Sequence, residues 1–292
     1  MALFDSEFLS KLEYLSLVSK RVFRGQLLAQ RRTKQLGAGV EFSEHREYAT
    51  GDDLRYLDWS VLARHDELLL KRFQEEQDLH VYLFLDCSQS MRFGEPRKFD
   101  HARQITAALA YIALADLDRV SINAFAGEIL ATYPLTRGKD CVLSLMSFLE
   151  ELEPVGKDTN LERCATDFVH RQSRAGLAVV VSDFMDPHGY REGLDRLRFH
   201  RFEPYLVHLY DQNEANPQLR GDVELVDAES GVRKKVTVNE RSLARYRQVF
   251  RKFLESSQDY AARRGMGYVQ SSTELPFEDL VLQMMRHSGT LS

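Results

Sequence analysis

The sequence predicts an α/β protein built on a doubly wound, mostly parallel sheet, and three observations carry that prediction. Residues 79–85 (LHVYLFL) form a run apolar on both faces, as expected of a central parallel strand covered by helices above and below. A second such run, LAVVV at 177–181, ends in Ser182 and Asp183 much as the first ends in Asp86, Ser88 and Ser90. From Leu79 onward, strand patterns alternate with helix patterns, the order that gives βαβ units.

Taken in order, residues 5–30 read as a helix, with Phe8, Leu12, Leu15 and Val22 recurring at helical spacing. Lys20, Arg21, Arg24, Arg31, Arg32 and Lys34 accumulate where acids are missing between Tyr14 and Val40. This stretch is either a solvated face or a docking patch for RNA or an acidic partner. A dense polar and aromatic segment follows. Gly51, Asp52 and Asp53 mark a turn into a short helical piece, and Arg46, Arg55 and Arg64 alternate with Glu41, Asp52, Asp53 and Asp58. Beside Tyr48, Tyr56 and Trp59 these charges predict an ion-paired structural clasp, with a strand over 67–74. The expected division is therefore an N-terminal helix and clasp over 1–76, then the α/β domain over 77–292.

Within the second part, a helix is expected over 97–117, a strand over 119–126 and an antiparallel edge strand over 128–135. Helices at 138–151 and 159–174 lead to the second buried strand, and a helix at 189–199 and a strand at 203–210 follow. The rhythm then breaks at 217–238, where two alternating runs flank a turn at 228–231 and signal a β-hairpin. Pairing of this hairpin with the strand near 68–73 would tie the two parts together. A helix over 240–264, a strand over 267–271 and a helix over 277–287 complete the order.

Composition sets limits on function. The 292 residues are 43% hydrophobic and 28% charged with a net charge of −5, which gives no global electrostatic case for nucleic acid. The three cysteines, Cys87, Cys141 and Cys164, lack CxxC spacing and suit a reducing compartment. No apolar run reaches the roughly 18 residues of a membrane helix, and the opening residues lack the order of a signal peptide. A cytoplasmic location is the expectation.

The chemistry gathers at strand ends. In an open α/β sheet, ligands bind beyond the carboxyl ends of the strands, so Asp86, Ser88, Ser90, Thr159 and Asp183 can meet at one edge. Oxygen donors with few charges suit a hard cation such as Mg²⁺. Each donor also has a local alternative: the serines as caps, Thr159 with Glu162 as a capping box, and Asp183 as a turn residue. Catalytic motifs fit less well. A dehalogenase-type phosphatase needs a second acid where Ser88 stands. Cys87 and Arg92 are five apart where a cysteine phosphatase needs six, and neither a GxSxG elbow nor a Walker A loop occurs. A non-enzymatic protein is expected.

Asp86-x-Ser88-x-Ser90, Thr159 and Asp183 resemble the metal-ion-dependent adhesion site of von Willebrand factor A domains. The run Glu41-Phe42, Arg46, Tyr48, Gly51-Asp52-Asp53-x-Arg55-x-x-Asp58-Trp59, Ala63-Arg64, Leu68, Lys71 and Glu75 or Glu76 resembles the family called domain of unknown function 58. That likeness covers about residues 30 to 290; many members carry N-terminal membrane helices, which are missing here. The resemblance implies a von Willebrand factor A-like sheet of order 3-2-1-4-5-6 and a divalent cation, Mg²⁺, Mn²⁺ or Ca²⁺. It implies direct ligation by Ser88 and Ser90, largely water-mediated contacts from Asp86 and Asp183, and Thr159 in either mode. A partner offering an acidic side chain to the metal, a MoxR-type AAA+ ATPase, is the inherited expectation.

Overall fold

The computed structural model describes residues 3–19, 41–74, 79–156, 158–228 and 231–289. They fall into two compact units, one from residues 1–25 and 79–292 and the other from 26–78.

The larger unit is a mixed α/β fold on a six-stranded sheet. Its strands are β3 (His80–Asp86), β4 (Arg119–Phe125), β5 (Ile129–Arg137), β6 (Leu177–Ser182), β7 (Glu203–Tyr210) and β10 (Gly267–Ser272), in the order β10-β7-β6-β3-β4-β5. Counted from β3 among the strands of this sheet alone, that is 3-2-1-4-5-6. Only β5 runs antiparallel, at the edge, as its alternating exposure foretells. β3 and β6 lie side by side in the middle, pairing Val81–Leu85 with Leu177–Val181.

Both faces of β3 are buried, which is why its sequence shows no alternation. Tyr82 and Phe84 point to one face, where Phe168 of the helix Leu161–Arg171 (α5) meets them edge-on at 5.0 and 4.8 Å between ring centroids. Leu194 and Leu197 of Arg191–Phe199 (α6) and Tyr260 and Ala261 of Glu240–Arg263 (α8) join this cluster. Val81, Leu83 and Leu85 occupy the other face, along which Lys98–Ala115 (α3) runs. The helices Val142–Glu151 (α4) and Phe277–Gly289 (α9) pack against α3.

The N-terminal helix α1 (Ser6–Ser19) belongs to this unit and not with the clasp, which places the structural division differently from the expected boundary at 76/77. The side chains explain it: Phe8, Leu12 and Leu15 are buried, Phe8 lies 4.7 Å from the Phe277 ring, and Lys11 pairs with Glu278 at 2.9 Å. The remainder of the expected 5–30 helix lies outside the described residues.

In the smaller unit β1 (Glu41–Glu47) pairs antiparallel with β2 (Leu69–Gln74), and the helix Trp59–His65 (α2) stands between them in sequence. Asp58 organises the turn. Its side chain accepts from the N–H groups of Ser60 and Val61 to cap α2, and it meets His45 Nε2 at 2.9 Å and Lys71 Nζ at 3.4 Å. Arg46–Asp52 (2.7 Å) and Arg55–Asp53 (2.6 Å) complete the ion pairs expected of a clasp.

The hairpin of β8 (Gly221–Val226) and β9 (Arg233–Val238) forms as expected but pairs differently. Among the described residues β8 and β9 pair with each other and β2 pairs with β1, so the expected pairing with 68–73 is not made. Strand alternation marks a strand without naming its neighbour, and the long-range pairing rested on alternation alone.

Candidate functional site

The carboxyl ends of β3 and β6 adjoin, so Asp86 and Asp183 come together though 97 positions separate them in sequence. Ser182 Oγ donates to Asp86 Oδ2 at 2.6 Å, and the Ser88 N–H donates to Asp86 Oδ1 at 2.9 Å. Beyond them, Ser88 Oγ and Ser90 Oγ lie 2.9 Å apart. On the neighbouring strand end, Asp183 Oδ2 receives the Lys98 ammonium at 2.7 Å. Lys98 also reaches Glu214 Oε1, at 2.5 Å, on the short helix Gln212–Ala215 (α7) after β7.

The serines are not spent as caps. Ser88 opens a short turn of 3-10 helix over Gln89–Arg92, yet its side chain makes no capping bond, and α3 begins at Lys98 without a side-chain cap. The capping box that was the local alternative for Thr159 is likewise absent: Asn160 caps α5 by accepting from the Arg163 N–H at 2.8 Å, and Glu162 instead turns to Arg196 at 3.3 Å. Asp183 does make the local turn contact expected of it, accepting from the Met185 N–H at 3.0 Å.

Thr159 is buried in the loop that precedes α5. Three residues earlier that loop runs beside the Asp86 tip, where Gly156 N–H donates to Cys87 O (3.0 Å) and Gln89 N–H to Gly156 O (2.9 Å). Glycine is required for this approach, because a Cβ at 156 would collide with the Ala126 side chain and crowd Cys87 O. The site is deep. Asp86 and Ser88 are 0% exposed, Asp183 1% and Thr159 3%, leaving half-buried Ser90 as the donor nearest solvent.

The charges are unequally balanced. Burial, and then the like charge of Asp183, push the Asp86 carboxyl up to about 7. Burial pushes Asp183 the same way, but the Lys98 ammonium outweighs it and holds Asp183 below the usual carboxylate range. Burial opposes the charge of Lys98 in turn, and Asp183 with Glu214 overcomes that and keeps it protonated. Glu214 is raised by burial despite Lys98. Asp86 is therefore the carboxyl whose charge no cationic side chain supports, and it stands next to two hydroxyls.

Sequence reasoning missed Lys98, Glu214 and Ser182. One signal was available: a lysine at the first position of a helix opposes the helix dipole and needs a carboxylate to hold it there. The basic stretch Lys20, Arg21, Arg24, Arg31, Arg32 and Lys34 lies outside the described residues. No helix among the described residues is long and apolar enough to cross a membrane.

A model of the family described as "Protein of unknown function DUF58" matches residues 44–259. The uncharacterized proteins Mb1516 of Mycobacterium bovis and Rv1480 of Mycobacterium tuberculosis are each 28% identical over 240 residues, 80% of this chain and 75% of theirs. Among solved structures, the conserved hypothetical protein BatB of Bacteroides thetaiotaomicron is similar at a TM-score of 0.47 with 16% identity, over 72% of this chain and 98% of its own. An aerotolerance-related membrane protein of Bacteroides fragilis gives the same TM-score and identity, covering 72% and 99%.

Proposed function

The chain belongs to the DUF58 family, and on that premise we propose that it is a non-enzymatic protein-interaction module of von Willebrand factor A type whose contact with its partner depends on a divalent cation. One observation carries this: the hydroxyls of Ser88 and Ser90, 2.9 Å apart, stand beside the buried carboxyls at the carboxyl edge of the sheet, and Asp86 has no cationic side chain to hold its charge. The donor set suits Mg²⁺. It offers two carboxylates and the hydroxyls of Ser88, Ser90 and Thr159, all hard oxygens, and a cation would offset the burial and the repulsion from Asp183 that raise Asp86. Among the described residues no group of three or more His, Cys, Asp and Glu side chains gathers as a metal cluster; the candidate donors here are of another kind, mostly hydroxyl.

Asp86, Ser88, Ser90, Thr159 and Asp183 would hold the ion. An ion with so few anionic ligands stays electrophilic and can accept a partner's Asp or Glu. That carboxylate would approach over Ser90, the part of the site that reaches solvent. The proposed partner is a MoxR-type AAA+ ATPase and the proposed setting is the cytoplasm. Cys87 supports a binding role over catalysis, because burial raises its thiol far from the thiolate form a nucleophile needs.

The test is Mg²⁺ titration calorimetry on wild type and Asp86→Ala, followed by binding of a purified MoxR-type ATPase with and without EDTA. Asp86→Ala is expected to keep its far-ultraviolet circular dichroism and lose both Mg²⁺ binding and EDTA-sensitive partner binding. Unchanged Mg²⁺ binding in Asp86→Ala would overturn the proposal.

A further inference from the structure

Lys98 sits where a cation is costly. It occupies the first position of α3, against the helix dipole, and is 0% exposed, so it has also lost its water. Both costs are offset by Asp183 Oδ2 and Glu214 Oε1. Glu214 is itself fixed: its Oε2 accepts from the Asp211 N–H at 2.9 Å, while Asp211 Oδ1 caps α7 through the Asn213 N–H at 2.8 Å. Thr273 Oγ1 donates to Asp211 Oδ2 at 2.9 Å, anchoring that turn to the segment after β10. The ammonium is thus pinned between the start of α3, the end of β6 and the turn after β7.

Taking the neighbouring hydroxyls and carboxylates as a divalent-cation site, we propose that Lys98 is its built-in counter-cation, a positioning residue that sets which ion the site accepts. Lys98 engages Oδ2 of Asp183 and the carboxylate of Glu214, leaving a small, hydroxyl-rich donor set with little anionic oxygen. Mg²⁺ is satisfied by one or two carboxylates and retained waters. Ca²⁺ takes six to eight oxygens, and its affinity follows the number of charged ligands. A fixed positive charge beside the site also weakens every cation that enters it. Glu214 governs how strongly the ammonium holds Asp183: it shares Lys98, and without its charge Asp183 faces Lys98 alone.

The experiment is titration calorimetry of the full chain with MgCl₂ alone and CaCl₂ alone, on wild type, Lys98→Met and Glu214→Gln. Wild type is expected to bind Mg²⁺ more tightly than Ca²⁺. Lys98→Met is expected to tighten Ca²⁺ by at least tenfold, and more than it tightens Mg²⁺. Glu214→Gln is expected to act in the opposite direction and weaken Mg²⁺ several-fold. A merely structural role would lower the unfolding temperature without tightening either ion. If wild type binds neither ion, the cation site and the role of Lys98 fall together. If wild type binds and Lys98→Met leaves the Ca²⁺/Mg²⁺ ratio unchanged, only the role of Lys98 falls. Should Lys98→Met fail to fold, Glu214→Gln decides alone, and wild-type Mg²⁺ affinity in it overturns the proposal.

Discussion

Asp58 and Asp86 are both nearly inaccessible aspartates beside a serine two positions on, yet they behave in opposite ways. Asp58 uses its oxygens locally: it caps α2, bonds Ser60 Oγ at 2.5 Å and meets His45 and Lys71. The Ser60 and His45 hydrogen bonds lead in holding its carboxyl well below the usual range. Asp86 receives only hydrogen bonds from neutral groups, faces Asp183, and is raised to about 7 by burial and that like charge. The difference teaches that an aspartate's role follows from whether its charge is neutralised by its own fold. Asp58 is complete within the clasp; Asp86 is incomplete without something cationic.

The comparison can be broken most forcefully at Lys98. Lys98→Met leaves Asp183 and Glu214 buried without their counter-charge, and removal of one partner from such a set costs about 3–5 kcal/mol. Urea unfolding in EDTA measures it, and a loss under 1 kcal/mol would show the ammonium to be a surface-like pair.

His101 sharpens the contrast from the same helix. Its ring is buried with Nε2 unpartnered, and burial, opposed by Glu278 of α9, pushes it down to about 4. Glu278 is itself paired to Lys11 of α1. Because the unfolded chain takes up the proton first, stability is full above about pH 6.5 and falls as pH drops through 4, by roughly 3 kcal/mol from this group. His101→Leu is expected to flatten that part of the melting-temperature profile; an identical profile would refute the assignment.

The smallest effects separate the two aspartates themselves. Ser90→Ala is expected to change stability by less than about 0.5 kcal/mol, as other near-surface substitutions do, and to weaken Mg²⁺ in calorimetry. Asp58→Ala is expected to lower the melting temperature and leave Mg²⁺ affinity unchanged. Reversal of the two outcomes would exchange the roles of clasp and site.

Much of this was legible beforehand for a local reason. The described strands and helices of the larger unit lie within a few residues of their expected positions, because a buried parallel strand must be apolar on both faces and a helix must repeat near 3.6. Asp183 was found at the edge because parallel strands end together. Thr159, read as a site donor, had a cap as its local alternative from the Thr159–Glu162 spacing; the neighbouring Asn160 took that cap, since two adjacent polar residues compete for one cap and the loop geometry decides.

The sequence by itself determined which segments are strands and helices, that their carboxyl ends carry oxygen donors, and the family to which the chain belongs, since all three are written in local pattern and motif. Tertiary structure alone decided that Lys98 reaches carboxylates 85 and 116 positions away, that α1 joins the sheet unit, and that the hairpin pairs only within itself among the described residues. Those outcomes depend on which burial partners meet in space, and a buried charge is held by whichever carboxylate the fold delivers, at any distance along the chain.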